Sequence, residues 1–385
     1  MLNVSTLIGA RVSASDALRY GKDRSGEVTP RAAAIRRPVV VWNCTLACNL
    51  ACAHCYASAK TLPSPDELTT EEAQALLTDL AEFGVPAVLL SGGEPLVRPD
   101  LPDLVRFGVE RGLRFTLSTN GTLVDPAKAQ LLAEAGVIYV GVSIDGDEAT
   151  HDHQRRQPGA YQRSVVGLRN LAEAGVRRGV RFTLSPDTLD GLPAVLDLLL
   201  TEGIDRFCMY HLVPSGRGGR LDDVTPEERR GVLETVFQFA ADHPDIEVLT
   251  VDSPADGAAL HRWLRGQDEE SAERCREMLE WNGGARNGPG VALAAIDQTG
   301  DVHPDQFSRH RTLGNVRERP FSEIWSDPDE YLLALRSPDR PLAEPCQRCS
   351  YLPMCGGGLR SRAELATGDP WAFDPSCTIE WAATS

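Results

Sequence analysis

Short apolar runs alternate with helical patterns along most of the chain from Val39 onward. Six runs rich in valine and leucine have the length of buried strands: Val39–Asn43, Ala87–Ser91, Arg114–Ser118, Ile138–Ser143, Arg178–Leu184 and Arg206–Leu212. The periodicity between them predicts helices near Glu71–Phe83, Asp100–Arg111, Pro126–Ala135, Arg163–Gly175 and Leu192–Glu202. This alternation predicts an α/β fold of β/α units around a parallel sheet, and periodicity alone does not choose a barrel over an open sheet.

Polar and cysteine-containing segments follow the first three predicted strands. A cysteine loop follows the first strand, Ser91–Pro95 ends the second, and Asn120 follows the third. Because ligands of parallel α/β sheets bind beyond the carboxyl ends of the strands, we expect these segments to lie at one rim. Between the first two strands, Thr69 with Glu72 predicts a helix N-terminus and Gly84 a helix stop.

The C-terminal half is less regular. Helical patterns at Thr225–Ala241 and Asp268–Leu279 flank the poorly patterned segment 244–256. Turn residues in Asn282–Pro289 precede the alternating run Val291–Ile296, which predicts a hairpin. We therefore predict four regions: an N-terminal extension (1–37), the β/α region (38–245), a helical linker (246–284) and a small C-terminal domain (285–385).

Composition narrows the possible functions. The 385-residue chain is 42% apolar and 24% charged, which is typical of a globular protein. Its formal net charge of -16 argues against nucleic acid as a partner. Neither an 18-residue apolar run nor a basic and apolar leader is seen, so we expect no membrane partner and a cytoplasmic location.

Seven of the ten cysteines fall into two groups. The first, Cys48-x3-Cys52-x2-Cys55, places three thiolates on one short loop, which suits three irons of a [4Fe-4S] cube and leaves the fourth iron open to a small molecule. The second comprises Cys346, Cys349, Cys355 and Cys377, and four thiolates can close a site completely. Tetrahedral zinc remains an alternative for each group. Packing is the simplest interpretation of the other three, Cys44, Cys208 and Cys275.

The first cysteine group, together with Ser91-Gly92-Gly93-Glu94-Pro95, resembles the radical S-adenosylmethionine (SAM) superfamily. This resemblance implies a partial (β/α)6 barrel and a [4Fe-4S] cluster whose open iron chelates SAM to generate a 5′-deoxyadenosyl radical. It also implies a set of SAM-binding residues: Gly92, Gly93 and Glu94 at the methionyl ammonium, Ser118, Asn120, Ser143 and Asp145 near the ribose and methionyl groups, Arg181 at the carboxylate, and His54 and Tyr56 near adenine or the cluster. Turn capping for Ser143 and Asp145, and strand exposure for Arg181, are the simpler alternatives.

The second cysteine group resembles the C-terminal auxiliary-cluster domain of SPASM and Twitch radical SAM enzymes. Leu359 stands where full SPASM domains carry another cysteine, and the Asn282–Gly290 loop also lacks one. We therefore predict one auxiliary [4Fe-4S] cluster, held by Cys346, Cys349, Cys355 and Cys377, which makes two clusters in the chain.

Further segments resemble the tetrapyrrole-processing branch of this superfamily: Ser15–Gly21, Pro38–Asn43, Arg181–Leu184, His211–Val213 with Ser215–Gly218, Val302–Phe307 and Leu313–Phe321. The branch contains 12,18-didecarboxysiroheme deacetylase and the radical SAM protein of heme d1 biosynthesis. The resemblance implies removal of carboxylate-bearing acetate side chains from an anionic iron tetrapyrrole, most closely 12,18-didecarboxysiroheme in siroheme-dependent heme biosynthesis. It also implies an external electron donor of the flavodoxin or ferredoxin type. Heme d1 biosynthesis, a radical SAM peptide maturase and a non-catalytic iron-sulfur or zinc scaffold are the alternatives.

A polycarboxylate substrate requires local cations in so acidic a protein. The candidates follow the sixth strand and the hairpin: Arg217, Arg220, Arg309, His310 and Arg311. His211 and His303 are the candidate catalytic residues, as axial iron ligands or proton donors. For all seven, an ordinary solvated or hydrogen-bonded side chain is the alternative.

Overall fold

A computed structural model describes residues 1–13, 16–20 and 37–379. Ser15 and Gly21 of the quoted leader, and most of the predicted N-terminal extension, lie outside these residues. The described residues contain one eleven-stranded sheet. Its strands are β1 (Leu2–Asn3), β2 (Val39–Asn43), β3 (Val88–Ser91), β4 (Phe115–Thr119), β5 (Val137–Ser143), β6 (Arg178–Leu184), β7 (Arg206–His211), β8 (Glu247–Val251), β9 (Leu293–Ile296), β10 (Asp301–His303) and β11 (Gly314–Asn315).

The strands run in the order β1-β8-β7-β6-β5-β4-β3-β2-β9-β10-β11. Strands β2 to β8 pair in parallel with their neighbours, whereas β1 pairs antiparallel with β8. All six predicted strands are present, with each end within one residue of its predicted position. The predicted succession of β/α units is confirmed.

The helices are α1 (Val4–Leu7), α2 (Asp16–Tyr20), α3 (Thr70–Phe83), α4 (Leu101–Val109), α5 (Pro126–Ala135), α6 (Glu148–Arg155), α7 (Ala160–Glu173), α8 (Leu192–Thr201), α9 (Pro226–Asp242), α10 (Asp256–Arg265), α11 (Glu269–Asn282), α12 (Phe321–Ser326), α13 (Glu330–Arg336), α14 (Glu344–Gln347), α15 (Leu352–Cys355) and α16 (Arg360–Thr367). The first predicted cap is confirmed: Thr69 and Glu72 form a capping box, and Gly84 ends α3 with φ +79°. Among the described helices, none is long and apolar enough to span a membrane.

The main core lies between the sheet and its helices. Large side chains of the strands, such as Trp42, Phe115 and Phe182, are fully buried in it, and Leu77 and Leu80 of α3 pack into the same cluster. Burying such apolar surface is the chief favourable term in folding. The packed layer holds the strands, so that the loops at their carboxyl ends have a fixed base.

The segment predicted to be irregular, 244–256, contains strand β8, which extends the parallel sheet beyond the predicted end of the β/α region at 245. The predicted hairpin is confirmed as β9 and β10, which pair antiparallel with Val302 opposite Ile296. Strand β9 also pairs in parallel with β2, with Ala295 opposite Val41. The hairpin therefore continues the sheet next to the strand that leads into the cysteine loop.

Candidate functional site: a cavity at the strand ends

A cavity opens at the carboxyl ends of the parallel strands. It encloses about 1100 Å³ of space between atoms, open solvent at its mouth included. Most of the predicted site residues line it: Cys48, Cys52, Cys55, Tyr56, Gly92, Gly93, Ser118, Asn120, Ser143, Arg181 and His211. Among the predicted cluster, SAM-binding and catalytic residues of this site, Glu94, Asp145 and His303 do not line it. The structure thus brings together residues that are up to 163 positions apart (48 to 211).

The cysteine loop is packed directly against the end of β3. The amides of Gly93 and Glu94 donate hydrogen bonds to the carbonyls of Thr45 and Ala47, both at 2.7 Å. A Cβ atom on Gly93 would lie only 2.0 Å from the Ala47 carbonyl oxygen, and Gly92 has a φ of +131°. Glycine is therefore required here because no side chain fits between strand and loop.

The three thiols fit the group that the motif implies. Burial raises the pKa of Cys48 to about 12 and also raises that of Cys52, so both thiols are neutral while no cation is bound. Binding of a metal cation would displace their protons. Within the described residues, no three or more His, Cys, Asp or Glu side chains are grouped so as to hold a single metal ion. The fit to a [4Fe-4S] cube rests on three thiols that border one cavity and on the space beside them.

Glu94 has a different place from the one expected. It is 1% exposed, and its carboxylate accepts hydrogen bonds from the Leu96 amide (3.1 Å), the Thr119 hydroxyl (2.8 Å) and the Asn120 amide (2.8 Å). The expectation that this carboxylate meets a ligand cation is therefore not matched by its geometry. It instead ties the end of β3 to the end of β4, which holds the Gly92-Gly93 backbone in position.

Asp145 is also an internal residue. Its carboxylate lies 2.7 Å from the Arg155 guanidinium, and both side chains are buried. Burial opposes ionisation of Asp145, but the adjacent Arg155 cation holds its pKa below the usual value. Arg155, in turn, donates to Cys52 Sγ at 3.7 Å and lines the cavity. Sequence reasoning missed Arg155, because no local motif distinguishes it at the end of α6.

His211 is held on both sides of its ring. Nε2 lies 2.7 Å from Asp256 Oδ2, and Nδ1 is hydrogen bonded to Arg229. Because a guanidinium only donates, Nδ1 must accept and Nε2 carries the proton given to Asp256. Neither nitrogen is free for iron, which corrects the expectation of an axial ligand; a direct proton donor is excluded on the same ground.

The residues predicted after the hairpin form a separate polar network. His303 Nδ1 donates to the Arg311 carbonyl (2.9 Å), and His303 is 1% exposed. Arg309 donates to Gln298 Oε1 (2.6 Å) and to Asp297 Oδ2 (3.2 Å), whereas Arg311 and His310 pair with Glu364. None of these four lines the cavity. Arg311 and His310 join the segment after the hairpin to α16, whereas His303 and Arg309 bond only within the hairpin and the segment that follows it. This geometry does not support the expected contacts with substrate.

Arg217 lines the cavity, but its guanidinium is used by the cysteine loop. Nε donates to the Cys52 carbonyl (2.9 Å) and Nη1 to the Ala59 carbonyl (2.7 Å). Its backbone amide donates to the Cys55 carbonyl. Arg220, three residues on, is exposed. The structure thus makes Arg217 a clamp on the loop through Nε and Nη1, whereas its buried Nη2 has no hydrogen-bond partner among the described residues, so the expected pairing with a substrate carboxylate stays a prediction.

Other predicted ligand-binding residues lie along the cavity wall. Arg181 is half-buried and stacks over the Tyr210 ring at 4.2 Å, and no hydrogen bond or ion pair to its guanidinium is seen within the described residues. Tyr56 is fixed by hydrogen bonds with Asn43 (2.7 Å) and Ser91 (3.0 Å), and its ring meets the edge of Phe307. Asn120 differs, because its side-chain amide donates to Asn49 in the cysteine loop.

Comparison with known proteins decides the family. A family model described as the radical SAM superfamily matches residues 42–199, and one described as an iron-sulfur cluster-binding domain (SPASM) matches residues 291–350. Fe-coproporphyrin III synthase of Methanosarcina barkeri is 43% identical over 98% of this chain and 98% of its own length. The chain belongs to the radical SAM superfamily.

Other relatives agree with this assignment. Pre-heme d1 synthase of Dinoroseobacter shibae is 41% identical, over 90% of this chain and 88% of its own length. This radical SAM chain thus falls in the tetrapyrrole-processing branch. Among solved structures, Streptococcus suis SuiB bound to S-adenosylmethionine is 18% identical, covers 90% of this chain and 78% of its own, and has a TM-score of 0.70, which shows the shared fold. As a member of this superfamily, the enzyme uses a [4Fe-4S] cluster and SAM, with further iron-sulfur in its SPASM domain.

The SPASM region of this radical SAM enzyme holds the second cysteine group around its own pocket. Cys346, Cys349, Cys355 and Cys377 all line it, together with Asp374. Burial raises the pKa of Cys355 to about 12 and that of Cys377 to about 11. The donor set fits the auxiliary cluster that we predict from the sequence. Leu359 packs with Val213 and Phe307, so the place of the missing cysteine is taken by an apolar contact with the cavity wall.

Sequence reasoning missed several residues at the SAM-side cavity. Asp252 and Gln306 line it, and Tyr210 lies between Arg181 and the end of β8. Asp252 follows β8 just as Asn120 follows β4, and Ser143 is the last residue of β5. The same strand-end rule would have found it, had the run Ile246–Val251 between two prolines been read as a strand.

Proposed function

We propose that this enzyme removes acetate side chains from 12,18-didecarboxysiroheme, an anionic iron tetrapyrrole, in siroheme-dependent heme biosynthesis. The observation that carries the proposal is the near full-length similarity to the enzyme named Fe-coproporphyrin III synthase. Loss of acetate groups from didecarboxysiroheme leads to an iron coproporphyrin, so the product in that name suits the substrate we propose.

The cavity supports this chemistry through residues of the chain itself. When bound, the cluster and SAM supply one-electron cleavage of SAM to an organic radical that abstracts hydrogen from a side chain of the substrate. Cys48, Cys52 and Cys55 hold the cluster in this proposal, and the backbone of Gly92 and Gly93 faces the methionyl group. With SAM and substrate filling the cavity, its walls would keep water from the reacting atoms, which protects so reactive a species.

Charge at the site suits an anionic cofactor group and an anionic substrate. Arg181 stacks over the Tyr210 ring but has no hydrogen-bond or ion-pair partner within the described residues, so its guanidinium N–H groups are available to pair with the SAM carboxylate. Ser118 and Ser143 line the cavity from β4 and β5, which lie in the sheet between β2, before the cysteine loop, and β6, which carries Arg181. We place the ribose there. The proposal includes an external flavodoxin- or ferredoxin-type donor and the cytoplasmic location expected from composition and cysteine usage.

A second candidate is side-chain removal in heme d1 biosynthesis, because the similarity to pre-heme d1 synthase is almost as strong. A peptide substrate is less well supported: mycofactocin maturase MftC of Mycolicibacterium smegmatis is 30% identical over 89% of this chain. The experiment is to incubate reconstituted enzyme anaerobically with dithionite and SAM, and with didecarboxysiroheme or a heme d1 precursor.

We expect 5′-deoxyadenosine and a tetrapyrrole that has lost the mass of acetate groups, with didecarboxysiroheme only. A mass change confined to the heme d1 precursor would instead establish the second candidate. A change in neither, with full cluster loading and with deoxyadenosine formed, would leave a peptide encoded beside the gene as the substrate to test.

A further inference from the structure

Asp252 is a carboxylate of the cavity wall that the fold does not use. It follows β8, is half-buried and lines the same cavity as the cysteine loop. Glu94, Asp145 and Asp256 are each engaged by hydrogen bonds or an ion pair. Within residues 1–13, 16–20 and 37–379, no hydrogen bond to the Asp252 carboxylate is seen. A carboxylate left without a protein partner in a ligand cavity is available to a ligand.

The backbone at Asp252 is held in a conformation that most residues avoid. Its φ is +65°, in the left-handed region. The Arg362 guanidinium donates to the Asp252 carbonyl and to that of Leu212, and it is itself buried against Asp374 at 3.2 Å. A strained residue persists when its surroundings fix it, and such positions cluster at functional sites. The contacts of Arg362 thus keep the Asp252 side chain at the cavity.

The groups around Asp252 shift the pKa of its carboxyl group in opposite directions. Burial raises the pKa of Asp252 to about 6; the amino group of Met1, Arg362 and Arg181 oppose this rise, and Asp305 adds to it. Tyr210 also faces this carboxylate. An anionic ligand that enters the cavity brings further negative charge to the same place, and this disfavours an ionised Asp252.

We propose that protonated Asp252 donates a hydrogen bond to a carboxylate side chain of the substrate, so that tetrapyrrole binding takes up one proton. This inference rests on the proposed function, because it assigns a residue to an anionic tetrapyrrole. No covalent step is involved: the proton comes from solvent, bridges the two carboxyl groups while the complex lasts, and returns to solvent on release. The residue would discriminate against ligands that carry no carboxylate at this position.

A simpler interpretation is that Asp252 only provides a negative charge next to Arg181. Two substitutions distinguish this counter-charge role from the donor role. Asp252→Asn keeps a hydrogen-bond donor without ionising, and asparagine tolerates a left-handed backbone. Asp252→Gly removes the donor at a φ that glycine prefers. A donor role requires that the asparagine variant bind more tightly than the glycine variant, whereas a counter-charge role makes the two variants equal.

The test uses the full chain with both clusters reconstituted anaerobically and iron coproporphyrin III as the probe. Binding is followed by the Soret band from pH 5.5 to 8, above the range in which the probe's carboxyl groups titrate. We expect the wild-type Kd to rise up to about tenfold per pH unit above pH 6, because the ionised form must take up a proton to bind. Asp252→Asn should bind independently of pH, and the exposed control Asp190→Asn should keep the wild-type slope.

Calorimetry in buffers of different ionisation enthalpy provides an independent readout of the proton taken up. We expect uptake approaching one proton at pH 7.5 for the wild type and none for Asp252→Asn. A wild-type Kd that does not change with pH, or equal affinities of the asparagine and glycine variants, would overturn the inference alone. Absence of tetrapyrrole binding at every pH, with a normal effect of SAM on the cluster signal, would overturn the proposed function as well.

Discussion

Replacing Arg217 separates a loop clamp from a substrate cation. The 216–220 segment is pressed against the cysteine loop: a Cβ on Gly216 would lie 2.3 Å from the Tyr56 carbonyl oxygen. From this segment the Arg217 guanidinium reaches the carbonyls of Cys52 and Ala59. Arg217→Met keeps much of the aliphatic stem and removes both side-chain hydrogen bonds. We therefore expect looser retention of the cluster.

The size of the effect follows from the two bonds. A hydrogen bond with a charged partner contributes about 1.5–3 kcal/mol, so the pair contributes about 3–6 kcal/mol to the closed loop. At the lower end, and with 1.4 kcal/mol per factor of ten, the open loop becomes about 100-fold more populated. Lysine keeps the positive charge but lacks the planar fork of donors, so the open-loop population of Arg217→Lys should lie between those of the wild type and Arg217→Met.

The assay is anaerobic loss of iron to a ferrous chelator, together with tetrapyrrole binding by the Soret band. We expect Arg217→Met to lose the iron of the N-terminal cluster roughly 100-fold faster than wild type, in proportion to the larger open population. Arg220→Met, in the same segment but exposed, is the matched control and should behave as wild type. If Arg217→Met kept its iron at the wild-type rate and bound tetrapyrrole more weakly, the clamp would be refuted and the role as a substrate cation supported.

Three further predictions concern the same site. Gly93→Ala should reduce iron content, because its Cβ would lie 2.0 Å from the Ala47 carbonyl oxygen; Gly231→Ala, with no atom within 4 Å, is the control, and equal iron in both would contradict the packing argument. His211→Ala should lower the free energy of unfolding by about 3–5 kcal/mol, because it leaves its buried partners unpaired. Both His211→Ala and His303→Ala should keep the wild-type absorption spectrum of bound heme, and a shifted Soret band in either variant would indicate that the histidine ligates iron. The triple variant of Cys48, Cys52 and Cys55 to alanine should retain about four irons per chain, and stoichiometric zinc without iron would end the auxiliary-cluster assignment.

Local signals account for what could be predicted of the fold. The six strands are apolar runs bounded by turns, and their pattern needs no knowledge of distant residues. Strand β8 was missed because Glu247 and Thr250 interrupt its apolar pattern, although both are buried. The Glu247 carboxylate is accommodated by Asn3 and Arg206 from distant segments, through a hydrogen bond (3.1 Å) and an ion pair (3.2 Å). The periodicity of a sequence does not show which distant residues will pair with a buried polar side chain.

For the site, too, local sequence features could be predicted and contacts with distant residues could not. Cysteine spacing and the Gly92-Gly93 pair are local features, and they predicted which residues border the cavity. The roles of His211 and Arg217 depend instead on groups 45 and 165 residues away, so the sequence alone suggested substrate contacts where the fold makes internal ones. Asp252 could not be predicted for two reasons. The strand before it was not recognised in the sequence, and its carboxylate stands out as unpaired only when the partners of Glu94, Asp145 and Asp256 are known from the structure.

The pairing of β9 with β2 joins the two cysteine-bearing parts of the chain in one sheet. If the chain were cut after residue 284, Val39–Asn43 would become an open edge with unpaired amides and carbonyls along its length. A truncated N-terminal half would then associate through that edge, beside the very loop that carries its three thiols. Attempts to isolate the first half for cluster spectroscopy should therefore supply a replacement strand or retain the hairpin.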